Sequence, residues 1–130
     1  MKKLAIFGSG TGSNAENICT YFASSSSIEI VFICTNNKNA PIVGRAEKLA
    51  IPVVYTTKDG LVNFTGLKKS LQDYKVNYII LAGFLLKVPS KMVDSYPNRI
   101  INIHPSLLPK YGGVGMYGTN VHKTVLKNNE

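Results

Sequence analysis

The sequence predicts an α/β domain built on a parallel sheet with helices on both faces. Two observations carry this expectation. First, the apolar runs Leu4–Phe7, Ile30–Cys34, Val53–Tyr55, Tyr78–Ala82 and Ile100–Ile103 are short, rich in β-branched residues and bounded by turn residues, which favours strands over buried helices. Second, stretches of helical spacing separate these runs, and strand–helix alternation builds parallel sheets. With 130 residues, 45% hydrophobic and 17% charged, the chain has the size and balance of one domain spanning residues 1–130.

Each helix has a local reason. Asn14–Ala23 follows a glycine-rich turn, with Ser13 or Asn14 expected as its cap. Asn39-Ala40-Pro41 places proline in the first turn of a helix reaching about Ala50. Leu61–Tyr74 is expected as one helix, with Leu67 and Leu71 on a common face. Ser90–Ser95 is a shorter helix closed by Pro97, and Thr119 or Asn120 would cap a last one running to Lys127. Ser24–Ser27 is a loop too short to separate domains.

Composition narrows the function. No apolar run reaches membrane-spanning length, and only Leu4–Phe7 lies between Met1-Lys2-Lys3 and Gly8, so neither a membrane span nor a secretory signal is expected. The expected location is the cytoplasm. Cys19 and Cys34 lack metal-ligand spacing and fit small core residues in a reducing compartment. The net charge of +8 is spread over scattered lysines without interleaved aromatics, which suits small anionic ligands rather than nucleic acid.

Two stretches carry chemistry. Gly8-Ser9-Gly10-Thr11-Gly12-Ser13-Asn14 joins the first strand to the first helix, where free amides and the positive end of the helix dipole favour an anion such as phosphate. A tight turn without a ligand is the plainer reading of the same residues. A dinucleotide is disfavoured, because Ser13 or Asn14 replaces the third glycine and Thr35-Asn36-Asn37 offers no acid after the second strand. No Gly-Lys-Ser/Thr follows, which excludes a P-loop and leaves a phosphomonoester. The other stretch is Asn102-Ile103-His104-Pro105. Alternate strand residues share a face, so Asn102 and His104 are expected side by side where Pro105 ends the strand. An amide that can hold an oxyanion beside an imidazole that can move a proton suits chemistry at a carbonyl.

Taken together, Gly-x-Gly-x-Gly-Ser-Asn, Leu81-Ala82-Gly83-Phe84 and Asn102-Ile103-His104-Pro105-Ser106-Leu107-Leu108-Pro109 resemble the folate-dependent formyltransferases, in particular the phosphoribosylglycinamide formyltransferase family of purine biosynthesis. The resemblance runs from Lys3 to about Lys127. It implies a Rossmann-like sheet and formyl transfer from 10-formyltetrahydrofolate, as co-substrate, to the amino group of glycinamide ribonucleotide. It also implies that Gly12, Ser13 and Asn14, supported by Gly10 and Thr11, hold the substrate phosphate. Leu85, Leu86, Lys87 and Val88, with Asn102, would form the folate site, largely through backbone groups. Asn102 and His104 would be catalytic. No metal is implied, the partners are small molecules with neither nucleic acid nor membrane, and the oligomeric state is left open.

Three departures qualify the likeness. The family's catalytic Asp lies well downstream of the His motif, beyond Glu130, so the chain is expected to be an N-terminal portion with little activity of its own. Leu86 stands where many members carry Arg, with Lys87 next to it. Gly112–Gly118 is richer in glycine than the usual Tyr-Pro-Gly version. A methionyl-tRNA formyltransferase is the nearest rival, but Lys110-Tyr111-Gly112-Gly113 replaces its Arg-Trp-Arg-Gly. Formyltetrahydrofolate deformylase would need an N-terminal domain, and a ligand-binding portion without catalysis is the alternative outside enzymes. His122 is expected as a surface or capping residue, Lys110 as a solvated one, and Tyr111, Met116 and Tyr117 as either folate contacts or loop packing.

Overall fold

The computed structural model describes residues 1–103. Along the chain these form β1 (Lys2–Phe7), α1 (Ser13–Phe22), β2 (Ile28–Thr35), α2 (Pro41–Lys48), β3 (Val53–Tyr55), α3 (Lys58–Asn63), α4 (Thr65–Asp73), β4 (Tyr78–Ala82), α5 (Ser90–Ser95) and β5 (Ile100–Ile103). The strands make one sheet in the order β3-β2-β1-β4-β5, and every neighbouring pair is parallel.

Sheet order and handedness explain the two layers. The chain steps outward from β1 through β2 to β3, then returns to the other side of β1 for β4 and β5. Right-handed crossovers in opposite directions put their helices on opposite faces. Accordingly Leu4, Ile6, Ile33 and Ile80 pack with Ala15 and Cys19 of α1 and Ile42 and Ala46 of α2. Their strand neighbours Ala5, Phe7, Phe32, Ile79 and Leu81 turn to the other face, against Leu61, Phe64, Leu67, Leu71 and Met92. This period of two is what a sheet buried on both faces requires. Deleting a fully buried side chain such as Leu71 would cost about 2–5 kcal/mol.

The structure corrects three boundaries. Leu61–Tyr74 is not one helix: α3 and α4 meet at Phe64, whose left-handed backbone (φ 65°) ends α3 while its side chain stays buried. The break is specified locally. Thr57 caps α3 by accepting from the Gly60 amide at 2.9 Å, and Asn63 Oδ1 accepts from the Thr65 amide at 3.1 Å as α4 starts. The second helix stops at Lys48 rather than Ala50, because Ala50 turns left-handed (φ 59°) and the Ile51 amide reaches back to the Ala46 carbonyl at 2.9 Å. That pairing, with Ala50 to Glu47 at 3.1 Å, is a Schellman close. Finally, α1 begins at Ser13 with Gly12 as its cap, so neither Ser13 nor Asn14 caps it. β1 and β2 also run longer than their apolar cores, from Lys2 and from Ile28 to Thr35, because the register pairs Lys2 with Ile28. The helix expected through Lys127 lies outside the described residues.

Candidate active site

The loops leaving the carboxyl ends of β1 and β4 start on adjacent strands but lead to helices on opposite faces. Such a reversal opens a crevice above the sheet, the usual ligand position in parallel α/β folds. The glycine-rich turn forms one wall and residues 83–88 form the other.

Helix α2 shapes the first wall. A Cβ on Gly8 would meet Ile42 Cδ1 at 2.6 Å and the Ala82 carbonyl at 3.0 Å. One on Gly12 would meet Ile42 Cγ1 at 2.6 Å and Cα at 2.9 Å, and Gly12 also holds φ +79°. Glycine is therefore required at Gly12 by both close approach and conformation, and at Gly8 it is favoured by the Ala82 carbonyl and the Ile42 side-chain tip. Gly10 has nothing within 4 Å of such a Cβ, so packing does not demand it.

Backbone carbonyls of this turn face α2. The Ile42 amide donates to Gly10 O at 3.2 Å, and Arg45 Nε donates to Thr11 O at 2.6 Å. In trans peptides the following N–H points the opposite way, so the Thr11 and Gly12 amides are turned away from α2. No side chain caps α1, and its first helical bond runs from the Glu16 amide to Gly12 O at 2.8 Å. The only side-chain approach to the Ser13 amide among the described residues is Thr11 Oγ1 at 3.5 Å, too long to satisfy it well. Oriented amides and an uncapped helix start make a donor set suited to an anion. Glu16, in the first turn, is neutralised by an ion pair to Arg45 and approached by Lys48 Nζ at 3.7 Å. The Arg45 guanidinium holds the Glu16 carboxyl below its ordinary range.

Ser9 ties the two walls together. Its amide donates to Gly83 O at 3.1 Å, and its hydroxyl accepts from the Leu85 amide at 2.9 Å while donating to Asn36 Oδ1 at 2.6 Å. Across the crevice, Phe84 stacks edge-on against Phe7 with centroids 5.3 Å apart, while the Leu85 side chain is 81% exposed. Phe84, Leu86 and Val88 pack towards the core and Lys87 is exposed. Asn102 lies on the next strand, in register with Leu81 and so on that same face of the sheet.

The structure thus brings Gly10–Asn14, Leu85–Val88 and Asn102 to one edge of the sheet. His104 lies outside the described residues, as do Lys110, Tyr111, the Gly112–Gly118 segment and His122. Sequence reasoning gave no role to Ser9, which lies inside the turn, nor to Asn36, Ile42 and Arg45, which orient the turn from outside it. A serine between two glycines was the one visible signal.

A formyl transferase family profile matches residues 2–130. The chain belongs to the formyl transferase family. Within that family it is 40% identical to the chloroplastic phosphoribosylglycinamide formyltransferase of Arabidopsis thaliana, over 98% of this chain and 46% of the relative. It is 31% identical to the phosphoribosylglycinamide formyltransferase of Haemophilus influenzae, over 97% of this chain and 65% of that one. The solved structure of the phosphoribosylglycinamide formyltransferase from Coxiella burnetii superposes with a TM-score of 0.73 at 32% identity, covering 99% of this chain and 61% of that one. The chain therefore spans between 46% and 65% of the length of these curated relatives. Its fold is the α/β formyl transferase fold, and among the described residues no helix is long and apolar enough to cross a membrane.

Proposed function

We propose that this chain carries the acceptor and donor loops of a phosphoribosylglycinamide formyltransferase, which moves a formyl group from 10-formyltetrahydrofolate to the amino group of glycinamide ribonucleotide. The observation that carries this reading is the Ser9 junction, which sets an anion-suited turn beside the Leu85–Val88 loop with Asn102 one strand away. Gly10, Thr11, Gly12, Ser13 and Asn14 hold the ribonucleotide phosphate through backbone amides and the α1 dipole. Leu85, Leu86, Lys87 and Val88 offer backbone groups to the folate. The scattered positive charge suits both anionic substrates.

In this reading the substrate amine, once deprotonated, attacks the formyl carbon directly, so no covalent enzyme intermediate is needed. The tetrahedral oxyanion accepts from the Asn102 side-chain amide and from protonated His104. As the carbon–nitrogen bond to the folate breaks, His104 gives its proton to the departing nitrogen, while the attacking nitrogen sheds its surplus proton to solvent, which reprotonates the imidazole for the next turnover. Holding both reactants in the crevice supplies the orientation. The reading also assigns a cytoplasmic location and small-molecule partners.

The test is formyl transfer with both substrates in an enzyme that joins this chain to the family's downstream Asp segment, together with Asn102→Ala and His104→Ala. Each variant should lower turnover by about 10²–10³, the usual effect of removing an oxyanion donor, and leave phosphate binding within about twofold. Parallel loss of ribonucleotide binding would make both residues structural and refute the assignment.

A further inference from the structure

Ser9 lies inside the glycine-rich turn but has no role in the phosphate reading, yet it is only 5% exposed, and its amide and hydroxyl reach residues just past two other strands, β4 and β2. A hydroxyl has one proton to give and two lone pairs to receive with. Asn36 Oδ1, just past β2, takes the proton at 2.6 Å, which leaves the lone pairs for the Leu85 amide at 2.9 Å. Asn36 therefore sets the direction of the hydroxyl, and the hydroxyl sets the peptide plane between Phe84 and Leu85. Because that peptide is trans, the Phe84 carbonyl is turned away from Ser9. With the Leu85 side chain 81% exposed, its own packing does little to fix this plane.

We propose that Ser9, aligned by Asn36, is a positioning residue that orients the backbone of the 84–88 loop for the folate and holds it in register with the glycine-rich turn. The inference rests on the donor-loop reading above and adds residues to it. A pocket that reads its ligand through backbone groups needs its peptide planes fixed in advance. Ser9 does this for the first plane, from the opposite wall of the crevice. Asn36 acts through Ser9 and needs only an acceptor oxygen at Oδ1.

The experiment compares Ser9→Ala, Asn36→Ala, the double variant and Asn36→Asp in this chain. Tetrahydrofolate is titrated calorimetrically, and inorganic phosphate is followed through the amide resonances of Gly10–Asn14. Ser9→Ala and Asn36→Ala should each weaken tetrahydrofolate about five- to tenfold, the scale of one lost hydrogen bond. The double variant should lose no more than either single one, since both break the same relay. Asn36→Asp keeps the acceptor and should stay within about twofold of the parent, and phosphate affinity should move by less than about twofold throughout. Tetrahydrofolate binding unchanged in Ser9→Ala would overturn the positioning role and leave the donor-loop reading standing. Equal weakening of both ligands, or no recovery in Asn36→Asp, would reduce Ser9 to a structural residue. No tetrahydrofolate binding by the parent chain would refute the donor-loop reading and this inference with it. Should Ser9→Ala not fold, Asn36→Ala against Asn36→Asp decides alone.

Discussion

Gly12→Ala tests the central claim about the glycine-rich turn, that its shape is imposed by contact with α2. Two costs add. A left-handed backbone (φ +79°) is unfavourable for a residue with a Cβ by about 1–2 kcal/mol. The new methyl would also lie 2.6 Å from Ile42 Cγ1 and 2.9 Å from Ile42 Cα, and overpacking of this kind costs about 1–3 kcal/mol. The expected loss is about 2–5 kcal/mol, a large share of the roughly 5–15 kcal/mol that stabilises a domain. Part of that contact is with backbone, which a rotamer change cannot relieve, so a value near the upper end is expected. Urea unfolding followed by circular dichroism measures it, with Gly10→Ala as the matched control. Gly10 has open space around its Cα and no positive φ, so the control should fall within about 0.5 kcal/mol of the parent. Adding Ile42→Ala to Gly12→Ala removes the contact at 2.6 Å but keeps the one at 2.9 Å, so it should relieve only part of the steric cost. A Gly12→Ala loss below about 1 kcal/mol, or equal losses at Gly10 and Gly12, would refute the claim.

Three further outcomes are expected. Arg45 holds the Glu16 carboxyl below its ordinary value of 4.5, so the stability it contributes is present above that value and is lost as pH falls through the lower folded-state pKa. Glu16→Gln should flatten the acid limb of a melting-temperature profile below pH 4.5, and an unchanged limb would assign the acid sensitivity to other carboxylates. Burial pushes the Cys34 thiol up to about 12 and the Cys19 thiol to about 11, so neither should react with a disulfide reagent at pH 8 until urea unfolds the chain. Rapid titration of either thiol in the folded protein would contradict that burial. Ala50→Gly should raise the melting temperature by about 2–6 °C, because Ala50 closes α2 at φ 59° where glycine carries no Cβ penalty. A lower melting temperature would mean that the Ala50 methyl packs more favourably than its exposure suggests.

Strands and layers were legible because burial on both faces imprints a period of two on short apolar runs, and Tyr78–Ala82 and Ile100–Ile103 match their predicted bounds. The break at Phe64 was hidden because a buried phenylalanine continues the helical spacing of Leu61, Leu67 and Leu71, and only the backbone reveals the turn. The glycine motif marked the tight strand-to-helix turn, but its capping was misassigned. Ser13 looks like a cap by residue type, whereas the approach of Ile42 moves that place to Gly12. Ser9, Asn36 and Arg45 act between segments 27 to 76 residues apart, and no local pattern records such pairings.

The contact of Ile42 with Gly8 and Gly12 has a consequence for how far the motif can be transplanted. A single aliphatic side chain, thirty positions further along, works as the mould against which the turn is cast. The seven letters from Gly8 to Asn14, grafted after the strand of another α/β protein, would supply flexible backbone without the surface that gives it form. A transferable turn of this shape needs at least two pieces, the glycine-rich stretch and the first part of α2 up to Arg45, inserted in register so that Ile42 arrives beneath both glycines.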